Sequence, residues 1–179
     1  MNIRPLQKKL QEKKIDVALF FSLDSGKEST NLKYFSGYSG AGVLLIPKKG
    51  KPCIIAPQME RERAKETGMN VKAWKKGTIT KEIKRRKAKK IGLVAEETSL
   101  SIYRRIQKEY RCKVEDITDV CMRIRMIKSP DEIRLIKKAC RITEQILEKC
   151  INRFERFKTE QDAARFLLYE TLKAGCEPS

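Results

Sequence analysis

The 179-residue sequence contains no histidine. Catalytic zinc sites, Ser-His triads and Cys-His dyads usually draw on imidazole as ligand or general base, so most common hydrolase chemistries have no seat in this chain. The six cysteines do not repair that loss. Cys53, Cys112, Cys121, Cys140, Cys150 and Cys176 are dispersed, no two stand in C-x-x-C spacing, and at least two fall on apolar faces of helical patterns. They read as small buried hydrophobes of a reducing compartment, not as a disulfide or zinc framework. No apolar run approaches the about 18 residues of a membrane span, and the N-terminal Met1-Asn2-Ile3-Arg4-Pro5 has no apolar signal region. A soluble, cytoplasmic protein is expected. Neither G-x-G-x-x-G nor G-x-x-x-x-G-K-[ST] is present, and Gly37, Gly40 and Gly42 do not open a helical pattern, so no phosphate cradle is expected.

Acidic residues are in short supply: 23 Asp+Glu stand against 41 Lys+Arg, a net charge of +18. That balance raises nucleic acid or an acidic membrane surface as a partner. The ordinary alternative is a Lys/Glu-rich surface of the kind common in thermophiles. Aromatics are few, at 7%, and do not interleave with the basic runs as single-strand binding requires, which favours the alternative. The densest run, Lys81-Glu82-Ile83-Lys84-Arg85-Arg86-Lys87, is one turn of charge without a partner motif. It is read as a solvated helix face, and nucleic acid is not an expected partner.

What is present alternates strand-like and helix-like stretches. Ile3, Leu6 and Leu10 share one face of a short helix. Residues 15–21 are an apolar run of strand length, buried on both faces if central. A polar loop is expected over residues 22–30. Residues 42–46 and 52–56 are apolar runs separated by Pro47-Lys48-Lys49-Gly50-Lys51, a β-hairpin. Short helical patterns at 57–66, 80–90, 99–110 and 119–126 interleave with strand patterns at 70–74, 91–95 and 114–117. The expected fold is α/β, a mixed sheet of about six strands covered by helices.

Two stretches stand out. Residues 31–42, N-L-K-Y-F-S-G-Y-S-G-A-G, place three glycines among aromatics and serines, which suggests a tight exposed loop. Phe35 reads as a core plug; for Tyr34 and Tyr38, core and surface roles stand equal. The second stretch is R-M-I-K-S-P-D-E-I-R-L-I-K-K-A over 125–139. Ser129 can cap a helix, Pro130 suits its first position, Asp131 and Glu132 complement its dipole, and Glu132 can close a capping box. The stripe then recurs at Ile133, Ile136, Cys140, Thr143, Leu147, Cys150 and Phe154, one face of a long helix. A second helix starts at Thr159 and stops at Gly175.

Together these stretches resemble the N-terminal region of the pita-bread metallopeptidases that cut next to proline, Xaa-Pro dipeptidase (prolidase) and Xaa-Pro aminopeptidase, whose layout creatinase shares. The matching residues are Asn31-Leu32-Lys33-Tyr34-Phe35-Ser36-Gly37, the run Pro57, Glu60, Glu62, Ala64, Lys65 and Glu66, and Arg125-Met126-Ile127-Lys128-Ser129 with Glu132 and Ile133. Ala139, Thr159-Glu160 and Ala163-Ala164 follow in order. The resemblance implies a creatinase-like N-terminal domain over 1–127 and the first helices of a pita-bread catalytic domain over 128–179. The chain is then expected to be a piece of a longer enzyme, cut just inside its second domain, and inactive alone. In the family the second domain holds two metal ions, commonly manganese, cobalt or zinc. No catalytic or metal-binding residue is therefore expected here. The first domain serves a homodimer and closes the active-site mouth. By resemblance Asn31, Tyr34, Tyr38 and Ser39 form that gating and dimer loop, and the parent hydrolyses Xaa-Pro peptides. The alternatives are a non-enzymatic relative that binds nucleic acid or proteins, and a creatinase-like amidinohydrolase.

Overall fold

A computed structural model describes residues 3–23 and 29–176. It divides the chain into two compact units, 1–126 and 127–179. The central part of the loop expected over 22–30, together with residues 1–2 and 177–179, lies outside the described residues.

The first unit is built on a six-stranded mixed sheet. Its strands are β1 (Val17–Ser22), β2 (Gly42–Pro47), β3 (Cys53–Ala56), β4 (Asn70–Ala73), β5 (Lys90–Leu93) and β6 (Lys113–Asp116), in the spatial order β4-β3-β2-β1-β5-β6. The β1–β2 and β2–β3 pairs are antiparallel, while β3–β4, β1–β5 and β5–β6 are parallel. The two central strands are buried at every position, and almost all of their residues are apolar because both faces are covered. Successive residues alternate between two cores. Ala18, Phe20, Leu44 and Ile46 enter one, and Val17, Leu19, Phe21, Val43 and Leu45 the other.

The first core is covered by α1 (Ile3–Glu12), α2 (Thr30–Ser36), α3 (Arg61–Lys65) and α6 (Thr118–Met126), through Leu6, Leu10, Leu32, Phe35, Ala64, Val120 and Cys121. The second is covered by α4 (Thr78–Arg85) and α5 (Leu100–Tyr110), through Ile79, Ile83 and Ile106. Asp16 fastens the start of the sheet. Its carboxylate accepts from Lys48 Nζ at 2.7 Å and from the backbone N–H groups of Lys89 and Lys90 at 2.8 and 3.0 Å.

The second unit contains α7 (Pro130–Ile151) and α8 (Glu160–Lys173), packed on each other. Both start with a closed capping box: Ser129 with Glu132, and Thr159 with Asp162. Lys149 pairs with Glu170 at 2.6 Å, and the rings of Phe157 and Phe166 lie 5.6 Å apart. The apolar stripe read for α7 is only partly buried. Ile146 and Cys150 are covered, whereas Ile133, Ile136, Leu147 and Phe154 are exposed. Cys140, read as a stripe residue, is also exposed, while Cys53, Cys112, Cys121 and Cys150 are buried.

Candidate functional site

Residues 31–42 are not the exposed loop that their glycines suggested. Ser29 adopts an extended backbone and its Oγ accepts from the Leu32 N–H at 3.0 Å, so it caps α2. Gly37 closes the helix in the left-handed region at φ 73°, its N–H donating to the Lys33 carbonyl. Asn31, Leu32, Phe35 and Ser36 are buried. A capped turn of helix with an apolar face satisfies the backbone that a loop would leave to water.

The N-terminus of α2 is held by a residue far along the chain. Glu97 Oε2 accepts from Ser29 Oγ at 2.5 Å, and Glu97 Oε1 from Asn31 Nδ2 at 2.9 Å and from the Asn31 N–H at 3.3 Å. Arg125 Nη1 donates to Asn31 Oδ1 at 3.4 Å. The C-terminal side is tied in turn. Ser36 Oγ donates to the Leu32 carbonyl at 2.6 Å and accepts from the Tyr38 N–H at 3.0 Å.

Tyr38 is a core residue, 1% exposed. Its hydroxyl meets the Ala41 carbonyl at 2.9 Å and Glu60 Oε2 at 3.0 Å. Burial, reinforced by the Glu60 carboxylate, pushes the phenol far above its ordinary value, so it stays a proton donor. Gly40 is where backbone must come close: a Cβ there would lie 2.6 Å from both Glu60 Oε2 and the Tyr38 hydroxyl. Of the four residues singled out by resemblance, Asn31 and Tyr38 are thus internal fasteners. Tyr34 and Ser39 keep partial exposure, with Tyr34 set edge-on to Phe35 at 5.1 Å. Glu97 had no local signal, because its partners Ser29 and Asn31 lie 68 and 66 positions away.

Among the described residues no three His, Cys, Asp or Glu side chains gather as a metal site. Burial pushes the Cys121 thiol up to about 12, with the Glu97 charge adding to it, so it stays a protonated thiol. A cleft of about 250 Å³ opens at the ends of β5 and β6 between Leu93, Thr98, Leu100, Tyr103 and Val114. Of the two carboxylates beside it, Asp116 is taken up by the N–H and Oγ1 of Thr118, at 2.9 and 2.5 Å, and Glu115 pairs with Lys90. Among the described residues, therefore, no set of side chains fits the two-ion centre that the resemblance implies.

The family model described as Creatinase/Prolidase N-terminal domain matches residues 3–127. The chain belongs to that family. A curated relative, the Xaa-Pro dipeptidase of Pyrococcus furiosus, is 28% identical over 151 residues, covering 82% of this chain and 42% of its own length. An X-Pro aminopeptidase structure from Thermotoga maritima superposes with a TM-score of 0.82 at 27% identity, over 92% of this chain and 49% of that one. A prolidase structure from Pyrococcus furiosus gives 0.80 at 26% identity, over 96% and 52%. The chain spans less than half the length of the curated relatives it matches. The creatinase/prolidase N-terminal fold accounts for the mixed sheet and its flanking helices. No helix among the described residues is long and apolar enough to cross a membrane.

Proposed function

We propose that the chain is the N-terminal domain of a cytoplasmic, metal-dependent Xaa-Pro peptidase that hydrolyses the bond preceding proline, a dipeptidase rather than an aminopeptidase. One observation carries this reading: similarity to an Xaa-Pro dipeptidase runs through both units, covering 82% of the chain, yet accounts for only 42% of that relative. The exposed apolar residues of α7 and α8, Ile133, Ile136, Leu147 and Leu172 among them, support it. A helix pair that leaves such a face uncovered suits the edge of a larger domain. That domain would hold two divalent ions, manganese, cobalt or zinc, which activate a water for attack on the peptide carbonyl.

Within a homodimer, the α2 segment would serve the active-site mouth. Tyr34 and Ser39 keep surface with which to meet substrate or a neighbouring subunit, while Asn31 and Tyr38 hold the segment in place. The net charge of +18 keeps a second reading in play, a non-enzymatic relative that binds nucleic acid. The test is a substrate panel on the protein encoded by the complete gene: Xaa-Pro dipeptides, longer Xaa-Pro peptides and creatine. Preferential release of proline from dipeptides supports the reading. Turnover of creatine alone, or of nothing, overturns it.

A further inference from the structure

The proposed function does not draw on the charge of +18. In the sequence it is densest on one short helix, but in the structure two helices share it. α4 and α5 cover the same face of the sheet, with Ile79, Ile83 and Ile106 turned inward. Lys81, Lys84 and Arg85 of α4, and Arg104, Arg105 and Lys108 of α5, are all exposed. The two helices contain one carboxylate each. Glu82 is buried and enclosed by Lys72, Arg85 and Arg86, so it projects little negative charge outward. That leaves Glu109 as the exposed acid of the pair. Of the six cations, Arg85 alone forms an ion pair among the described residues. A surface of the thermophilic kind interleaves signs in networks; this face does not.

We propose that the α4–α5 face docks the phosphate backbone of duplex nucleic acid, without regard to sequence. Three guanidinium forks and three ammonium groups suit repeated phosphates, which guanidinium meets two bonds at a time. Tyr103 and Tyr110 are half-buried and pack against the core, so the face offers no stacking platform for single strands. Leu100 is the one large apolar residue of these helices that is well exposed, at 60%. A single such residue neither anchors a membrane surface nor forms the apolar centre of a protein interface.

The test is fluorescence anisotropy with a short labelled DNA duplex, at salt rising from about 50 to about 200 mM. At physiological salt the chain should bind with a Kd of about 10⁻⁴ to 10⁻⁶ M, weakening steeply as salt rises. The triple variant K84E/R104E/K108E should lose at least about tenfold in affinity and reduce the log–log salt slope by about 3. The control R4E/K8E/K13E alters α1 and the turn after it, on the opposite sheet face, and should stay within about twofold because distant charges are screened. Thermal melts establish that both fold, and K84Q/R104Q/K108Q replaces the reversal if it does not. Equal losses in the two triples, no binding by the parent chain at about 50 mM salt, or a first triple that loses phosphatidylserine vesicles but keeps the duplex would each overturn the proposal.

Discussion

The Tyr38 hydroxyl and Glu60 Oε2, 3.0 Å apart, join the segment after α2 to the turn after β3 across 22 positions of sequence. One phenol also reaches the Ala41 carbonyl, so it fastens both sides of Gly40. Tyr38→Phe keeps the ring and loses both bonds, and should cost about 1 kcal/mol. Tyr38→Ala empties a fully buried position and should cost about 3–5 kcal/mol. Urea unfolding of the two variants measures the difference. An alanine variant within about 1 kcal/mol of the parent chain would contradict the core placement of Tyr38.

Gly40 gives an independent check on the same contact. A methyl group there would stand 2.6 Å from the Tyr38 hydroxyl and Glu60. Gly40→Ala should therefore destabilise by about 1–3 kcal/mol through overpacking. Gly50, with open space around its Cβ position, is a poor comparison because its φ of 96° is itself costly for alanine. A neutral Gly40→Ala in thermal unfolding would show that the neighbours move aside at no cost.

Glu97 makes three hydrogen bonds to Ser29 and Asn31 at the start of α2. Glu97→Ala should cost about 1.5–3 kcal/mol, since the bonds are charge-assisted and the buried donors are left behind. Amide exchange should also quicken across α2 ahead of the sheet. Unchanged exchange in α2 would mean that Ser29 and the apolar face suffice to hold it.

These residues show which parts of the molecule a sequence can disclose. β1 and β2 are legible because each is a short, almost wholly apolar run bounded by turn residues, the pattern of a strand covered on both faces. The starts of α7 and α8 are legible because a capping box is local, four residues long, and chemically specific. α2 is not: three glycines and two serines imitate a loop, and the carboxylate that secures the helix lies 66 positions away at Glu97. Glu82 reads as one charge in a basic run, yet it is the carboxylate that three cations enclose. The periodicity of α7 predicts a buried stripe, but a stripe is buried only by a partner, and Ile133 and Ile136 remain 44% and 48% exposed.

Glu82 also sets the response to acid. Burial alone would raise its pKa, but hydrogen bonds from Lys72, Arg86 and Arg85 outweigh that and hold the carboxyl down to about 2. A depressed folded-state pKa contributes stability that is present above the unfolded value, near 4.5, and is lost as pH falls toward about 2. The contribution is about 3 kcal/mol at neutral pH. Glu82→Gln should lose most of it at pH 7 and flatten the fall in stability between about pH 5 and about pH 2. Denaturant midpoints across that window measure it; an unaltered acid limb in the variant would mean that the ion cluster is not coupled to folding.

The central claim is that this chain is the non-catalytic N-terminal part of a metal-dependent Xaa-Pro peptidase, and one paired assay tests it. Proline release from an Xaa-Pro dipeptide is followed with manganese, cobalt or zinc supplied, for the 179-residue chain and for the protein encoded by the complete gene. The account predicts metal-dependent turnover by the latter, abolished by chelation, and none by the chain, in which no three ligating side chains gather among the described residues. Proline released by the chain alone, or no metal-dependent release by the complete protein, would contradict it.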